Sequence, residues 1–103
     1  MRFGLLKEEI ESINKVFSGY PSISKVILYG SRAKGNFRPA SDIDLTIEGN
    51  GFELSDLFEL ENKLDDILLP YKIDLSIKEH ISNQELLNHI ERVGEIFYER
   101  FNS

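Results

Sequence analysis

The spacing of apolar residues along this chain switches repeatedly between helical and strand periods. Leu5, Leu6, Ile10, Ile13, Val16 and Phe17 recur at helical spacing around Glu9, predicting an amphipathic helix that ends near Gly19-Tyr20-Pro21. Lys25 to Tyr29 is a short apolar, β-rich run with apolar residues on both faces, the pattern of a central strand covered on both sides. Gly30 ends it, and Ser31 is placed to cap a short helix over Arg32 to Lys34. Gly35 to Ser41 reads as a loop. From Asp42 to Ile47 the chain alternates: Asp42, Asp44 and Thr46 on one face, Ile43, Leu45 and Ile47 on the other. That predicts a half-buried strand with a wet carboxylate face. After the Gly49-Asn50-Gly51 turn, Ser55 is placed to cap a helix carrying Leu57, Leu60, Leu64, Ile67 and Leu68 on one face, and Pro70 marks its end. Lys72 to Ile77 repeats the alternation, with Asp74 on the polar side. Asn83 to about Arg92 predicts a last helix, Gly94 a break, and Glu95 to Tyr98 a short closing strand. The order predicts one α/β (α+β) domain over residues 1–103, a small mixed β-sheet flanked by helices.

Composition narrows the class. With no cysteine, disulfides and thiolate metal sites are excluded. No secretory signal and no run of about 18–20 apolar residues stands in the sequence, so no membrane association and a cytoplasmic location are expected. The formal net charge of −6 argues against a broad footprint on an extended nucleic-acid template. It leaves room for a single nucleotide, because bound metal can carry the local positive charge.

Asp42 and Asp44 are the first candidates for chemistry. Residues two apart on a strand project from one face, about 6.6–6.8 Å apart along the backbone. Their carboxylates can lean together to give hard oxygen ligands to Mg²⁺. Asp74 joins them if the two strands are neighbours. Each aspartate can equally be the wet face of an amphipathic strand, although Asp is depleted in strands and two in succession on one face need a reason. The Gly30-Ser31 turn offers backbone N–H groups to a polyphosphate, or is an ordinary strand–helix turn. Gly30 and Gly35 match the outer glycines of a P-loop, but Asn36-Phe37 follows where Lys-Ser/Thr is required. Arg32, Lys34 and Arg38 either neutralise phosphate charge or are solvated loop charges, with Arg38 the best placed of the three. His80 and His89, nine positions apart, lack a helical metal spacing and read as surface or partly buried residues. Phe97, Tyr98 and Phe101 are expected to complete the core, or in part to face a partner.

Taken together, Gly30-Ser31-Arg32-Ala33-Lys34-Gly35, Arg38 and Ser41-Asp42-Ile43-Asp44-Leu45 resemble the signature of the minimal nucleotidyltransferases, within the DNA polymerase β-like superfamily. The resemblance covers most of the chain and puts Asp74 in the place of the family's third carboxylate. It implies that Asp42, Asp44 and Asp74 are catalytic and bind two Mg²⁺ ions, and that Gly30, Ser31 and Arg38 hold the nucleotide. ATP is the implied substrate, with AMP transferred to a hydroxyl and pyrophosphate released. The implied partner is a small all-helical HEPN-type protein, often a toxin RNase, for which the nucleotidyltransferase is the antitoxin. At 103 residues, template-directed polymerisation and antibiotic modification are disfavoured, since both call for further domains. The competing class is a non-catalytic antitoxin that masks its partner by contact. The sequence leaves homo- or hetero-oligomerisation open.

Overall fold

The computed structural model describes residues 1–101. Its elements run α1 (Lys7–Ser18), β1 (Ile23–Tyr29), α2 (Ser31–Lys34), β2 (Ile43–Gly49), α3 (Leu54–Asp65), β3 (Ile73–Ile77), a 3₁₀ turn (Lys78–His80), α4 (Gln84–Val93) and β4 (Glu95–Glu99). The strands form one mixed sheet in the order β3-β2-β1-β4. β1 is central and pairs antiparallel with both β2 and β4. β2 and β3 pair in parallel. A parallel pair needs a crossover, and α3 supplies it.

Alternation along the strands decides the layers. Val26 and Leu28 of β1, Ile43, Leu45 and Ile47 of β2, Ile77 of β3 and Phe97 of β4 are buried in one cluster. Ile13 and Phe17 of α1 and Leu57, Leu60 and Leu64 of α3 close over that face. Each fully buried side chain of this size contributes about 1.5–3 kcal/mol of transfer free energy. Ile27 points to the other face and meets the end of α4, where a Cβ on Gly94 would press against it. β1 is thus covered on both sides, as its apolar run predicts. Among the described residues, no helix is long and apolar enough to cross a membrane.

Several local expectations are corrected. Leu5 and Leu6 precede α1: Leu5 closes a tight turn in which Phe3 (φ 57°) and Gly4 (φ 73°) are both left-handed, with the Leu5 N–H donating to the Arg2 carbonyl at 2.9 Å. Gly30, not Ser31, caps α2, and α3 starts at Leu54, ahead of the expected Ser55 cap. There the Asp56 carboxylate accepts from the Glu53 N–H at 2.9 Å. α3 stops at Asp65, and Leu68 turns left-handed (φ 60°) and is 86% exposed. Thr46 is not on a wet face. It is fully buried between its register partners Ile27 and Ser76, and the Ser76 hydroxyl donates to its Oγ1 at 2.9 Å. Phe97 joins the core, but Phe101 is 83% exposed.

Candidate active site

The strand register brings the aspartates together. β2 and β3 pair so that Asp44 lies directly opposite Asp74. On the other side, Tyr29 at the end of β1 is the register partner of Asp44. Asp42 precedes the first residue of β2 and is exposed, as is Asp74, whereas Asp44 is half-buried. Two same-sign groups directly opposite on neighbouring strands repel. Burial, then the charges of Asp74 and Asp42, push the Asp44 carboxyl above its ordinary range, partly offset by His89 and Lys72. Burial also raises the Tyr29 hydroxyl, partly offset by a hydrogen bond with Ser76. The charges of Asp44 and Asp74 push it further the same way.

Gly30 adopts φ 77° and ψ −156°, a region that essentially only glycine populates. Any Cβ there would overlap the Asp44 Oδ2 atom. The missing side chain therefore lets the β1–α2 turn and the carboxylate lie against each other. The backbone N–H of Gly30 donates to His89 Nε2 at 3.0 Å, and the His89 ring meets the Tyr29 ring edge-on at 6.2 Å. Asp42 follows a turn in which the Arg38 N–H donates to the Ser41 hydroxyl at 2.8 Å and the Ser41 N–H to the Arg38 carbonyl at 2.9 Å.

The cationic cluster expected around this turn is split. Lys34 and Arg38 are exposed, but Arg32 is 1% exposed and its guanidinium is turned inward onto backbone carbonyls. Tyr29 and His89 are the site residues that sequence reasoning missed. Tyr29 shares the parity of Asp44 only once the β1–β2 register is known, and His89 arrives only because α4 docks over β1. Nothing in their spacing signals either placement. His80 is exposed, as expected.

Carboxylate oxygens are the kind of donor a hard divalent cation takes. Asp44 and Asp74 are register partners on adjacent strands, and among the described residues no ion pair neutralises them or Asp42. Among the described residues no group of three or more His, Cys, Asp or Glu side chains is gathered closely enough to hold a metal ion. Grooves of about 590 and 600 Å³ lie around Glu48 of β2 and Lys78 of the 3₁₀ turn, each four residues beyond its aspartate, and include none of the aspartates.

This fold and this turn-plus-aspartate arrangement define a nucleotidyltransferase. The family model described as "Polymerase beta, Nucleotidyltransferase" matches residues 11–102, and the chain belongs to that family. It is 33% identical over 87 residues to the candidate protein adenylyltransferase MJ1217 of Methanocaldococcus jannaschii, covering 84% of this chain and 88% of that protein. Its identity to MJ0604 of the same organism, named in the same way, is 29% over 97 residues, covering 94% and 79%. Among solved structures, a toxin–antitoxin complex with AMP-PNP superposes with a TM-score of 0.70 at 22% identity, covering 88% of this chain and 73% of that one. A chain from the complex of tri-AMPylated Shewanella oneidensis HEPN toxin with MNT antitoxin gives 0.66 at 19% identity, covering 91% and 72%.

Proposed function

We propose that this chain transfers AMP from ATP to a hydroxyl of a small, all-helical HEPN-type toxin and thereby acts as its antitoxin. The observation that carries the reading is the pairing of Asp44 opposite Asp74, with the Gly30 turn packed against the Asp44 carboxylate. The names of the relatives, for protein adenylylation and for toxin–antitoxin complexes, supply the acceptor class.

Asp42, Asp44 and Asp74 would hold two Mg²⁺ ions, which when bound supply Lewis-acid stabilisation of the phosphoryl oxygens. The Gly30-Ser31 turn holds the β- and γ-phosphates, and Arg38, exposed at the loop before Asp42, faces their negative charge. The acceptor oxygen attacks the α-phosphorus, the bond to the β-phosphate oxygen breaks, and pyrophosphate leaves. Asp74, at the exposed end of the pair, orients the acceptor hydroxyl and takes up its proton. Holding acceptor and triphosphate in line accounts for much of the acceleration expected of such a site.

The test uses ATP labelled at the α-phosphate, Mg²⁺, the purified protein and an extract of its host, with γ-labelled ATP in parallel. The expected result is a protein band labelled only from the α-position and lost with Asp42→Asn. A second reading, masking of the partner by contact alone, draws on the absence of a closed three-ligand cluster among the described residues. No labelled band, with the partner still co-purifying and still neutralised by Asp42→Asn, would establish that reading instead.

A further inference from the structure

Arg32 is the second residue of α2, directly after the Gly30-Ser31 turn, and is 1% exposed. Buried arginines ordinarily pair with a carboxylate. Among the described residues Arg32 has no such pair. Its fork is instead spent on main-chain carbonyls. Nη1 donates to Phe3 at 2.8 Å, Nη2 to Pro39 at 3.1 Å, and Nε and Nη2 both donate to Ser41, at 3.1 and 2.9 Å. The rings of Phe37 and Tyr71 stack against the guanidinium, with centroids at 5.2 and 4.8 Å.

The segments it joins are those that carry the site. Pro39 and Ser41 belong to the loop that delivers Asp42. Tyr71 stands three residues before Asp74, on the entry to β3, and its hydroxyl donates to Glu9 Oε1 of α1 at 3.3 Å. Phe3 is held left-handed, and Arg32 takes its carbonyl. We infer that Arg32 is a positioning residue for nucleotidyl transfer: its buried fork fixes the Gly30-Ser31 turn relative to Asp42 and Asp74 without touching the nucleotide. The inference rests on the transfer reading above for its reaction, but not for its geometry.

Two other roles are physically distinguishable. A phosphate ligand would present its charge to solvent, and its loss would act on KM for ATP. A pure packing residue would be replaced by any side chain of similar length. Arg32 does neither, because a planar fork reaches separate carbonyls at once and a lysine ammonium is a single point.

The test compares wild type with Arg32→Lys, Arg32→Ala and Tyr71→Leu, the last leaving the guanidinium in place while removing one stacking face. Amide hydrogen exchange is followed across residues 30–44 in the nucleotide-free protein, and kcat and KM for ATP are measured in α-labelled transfer. In Arg32→Lys, exchange in that segment should accelerate and kcat should fall on the order of tenfold or more, the scale of small misplacements, with little change in KM. Tyr71→Leu should move kcat in the same direction by less. Guanidinium ion added at millimolar concentration should restore kcat to Arg32→Ala, and ammonium should not. A rise in KM alone would make Arg32 a phosphate ligand. Unchanged kcat in folded Arg32→Lys, or faster exchange throughout the chain with no rescue, would overturn the inference in favour of a packing role. If the wild type transfers no AMP, the transfer reading fails, and exchange over residues 30–44 still decides whether Arg32 fixes the turn.

Discussion

Asp44 and Gly30 show how single positions trade stability for chemistry. The Asp44 carboxyl is raised by burial and by its neighbours Asp74 and Asp42, so the folded protein binds that proton more tightly than the unfolded chain does. The resulting stability is fully present below the ordinary aspartate pKa, near about 3.9, and is lost as pH rises through the folded value. At neutral pH the ionised carboxylate is therefore a net cost. Asp44→Asn should raise the urea midpoint at pH 7, with the gain fading as pH falls through the raised folded value and gone below about pH 4. The same change should lower transfer by about 100-fold or more, beyond the usual loss for outer-shell partners of metal ligands. An unchanged or lower midpoint at pH 7 would show that the repulsion is relieved in some other way. Gly30→Ala works in the opposite direction. It forces a side chain into a glycine-only region and onto Asp44 Oδ2, so stability should drop by about 1–3 kcal/mol in urea melts, and transfer should drop with it. At this scale the aspartates were legible from strict alternation, because parity puts Asp42, Asp44 and Asp74 on polar faces whatever the topology. Arg32 was not. A charged residue in a Gly-Ser turn reads as a phosphate contact or a solvated loop charge, and only the folded loop around it reveals that its partners are carbonyls.

Elements were easier to find than to bound. The helical period located α1, α3 and α4, and alternation located β2 and β3, since packing one face of an element forces that pattern. Ends depend on single contacts. The α3 start is set by the Asp56 carboxylate on the Glu53 N–H, two positions ahead of the serine that looked like the cap. After Asp65 the bonding tightens, the Ile67 and Leu68 N–H groups donating to the Leu64 and Asp65 carbonyls, and Leu68 turns left-handed inside an apolar run that otherwise continues the helical period. The docking of α4 was not written in its own pattern either, yet it matters most for the site. His89 occupies the Gly30 N–H that the proposed reaction gives to a phosphate oxygen. A charged phosphate oxygen is a stronger acceptor than the imidazole nitrogen and should displace it, but must first break that bond. His89→Ala removes the competitor, whose net worth is about 0.5–1.5 kcal/mol, so ATP binding should tighten about two- to tenfold by calorimetry. Weaker binding by this variant would mean that the imidazole instead holds the turn in the shape the nucleotide needs.

At the scale of the whole molecule, the sheet order brings the aspartates together. Asp44 and Asp74 lie on strands separated by α3, and only the parallel β2–β3 pairing places them opposite each other. No local pattern encodes that neighbourhood, so the sequence could state it only as a condition. The pairing also concentrates negative charge on a chain that already carries −6. Free ATP, itself polyanionic, is repelled from such a face, and in the proposed reaction a divalent cation would bridge the triphosphate and the carboxylates. Nucleotide binding should therefore be seen in thermal melts only when Mg²⁺ is present. With ATP at ten times its Kd, linkage predicts about 1.4 kcal/mol of added stability. For a domain of this size that corresponds to a rise in Tm of roughly 6–11 °C. Chelating the metal should abolish the shift, and so should replacing Asp42 and Asp44 together by Asn, even though the latter raises the baseline Tm by relieving repulsion. That opposition separates a metal site from a general charge effect. Relieving negative charge without a metal role would let ATP bind better to the double variant than to the wild type. A shift that persists there, or in chelator, would place the nucleotide away from the aspartates and leave the contact antitoxin as the reading to pursue.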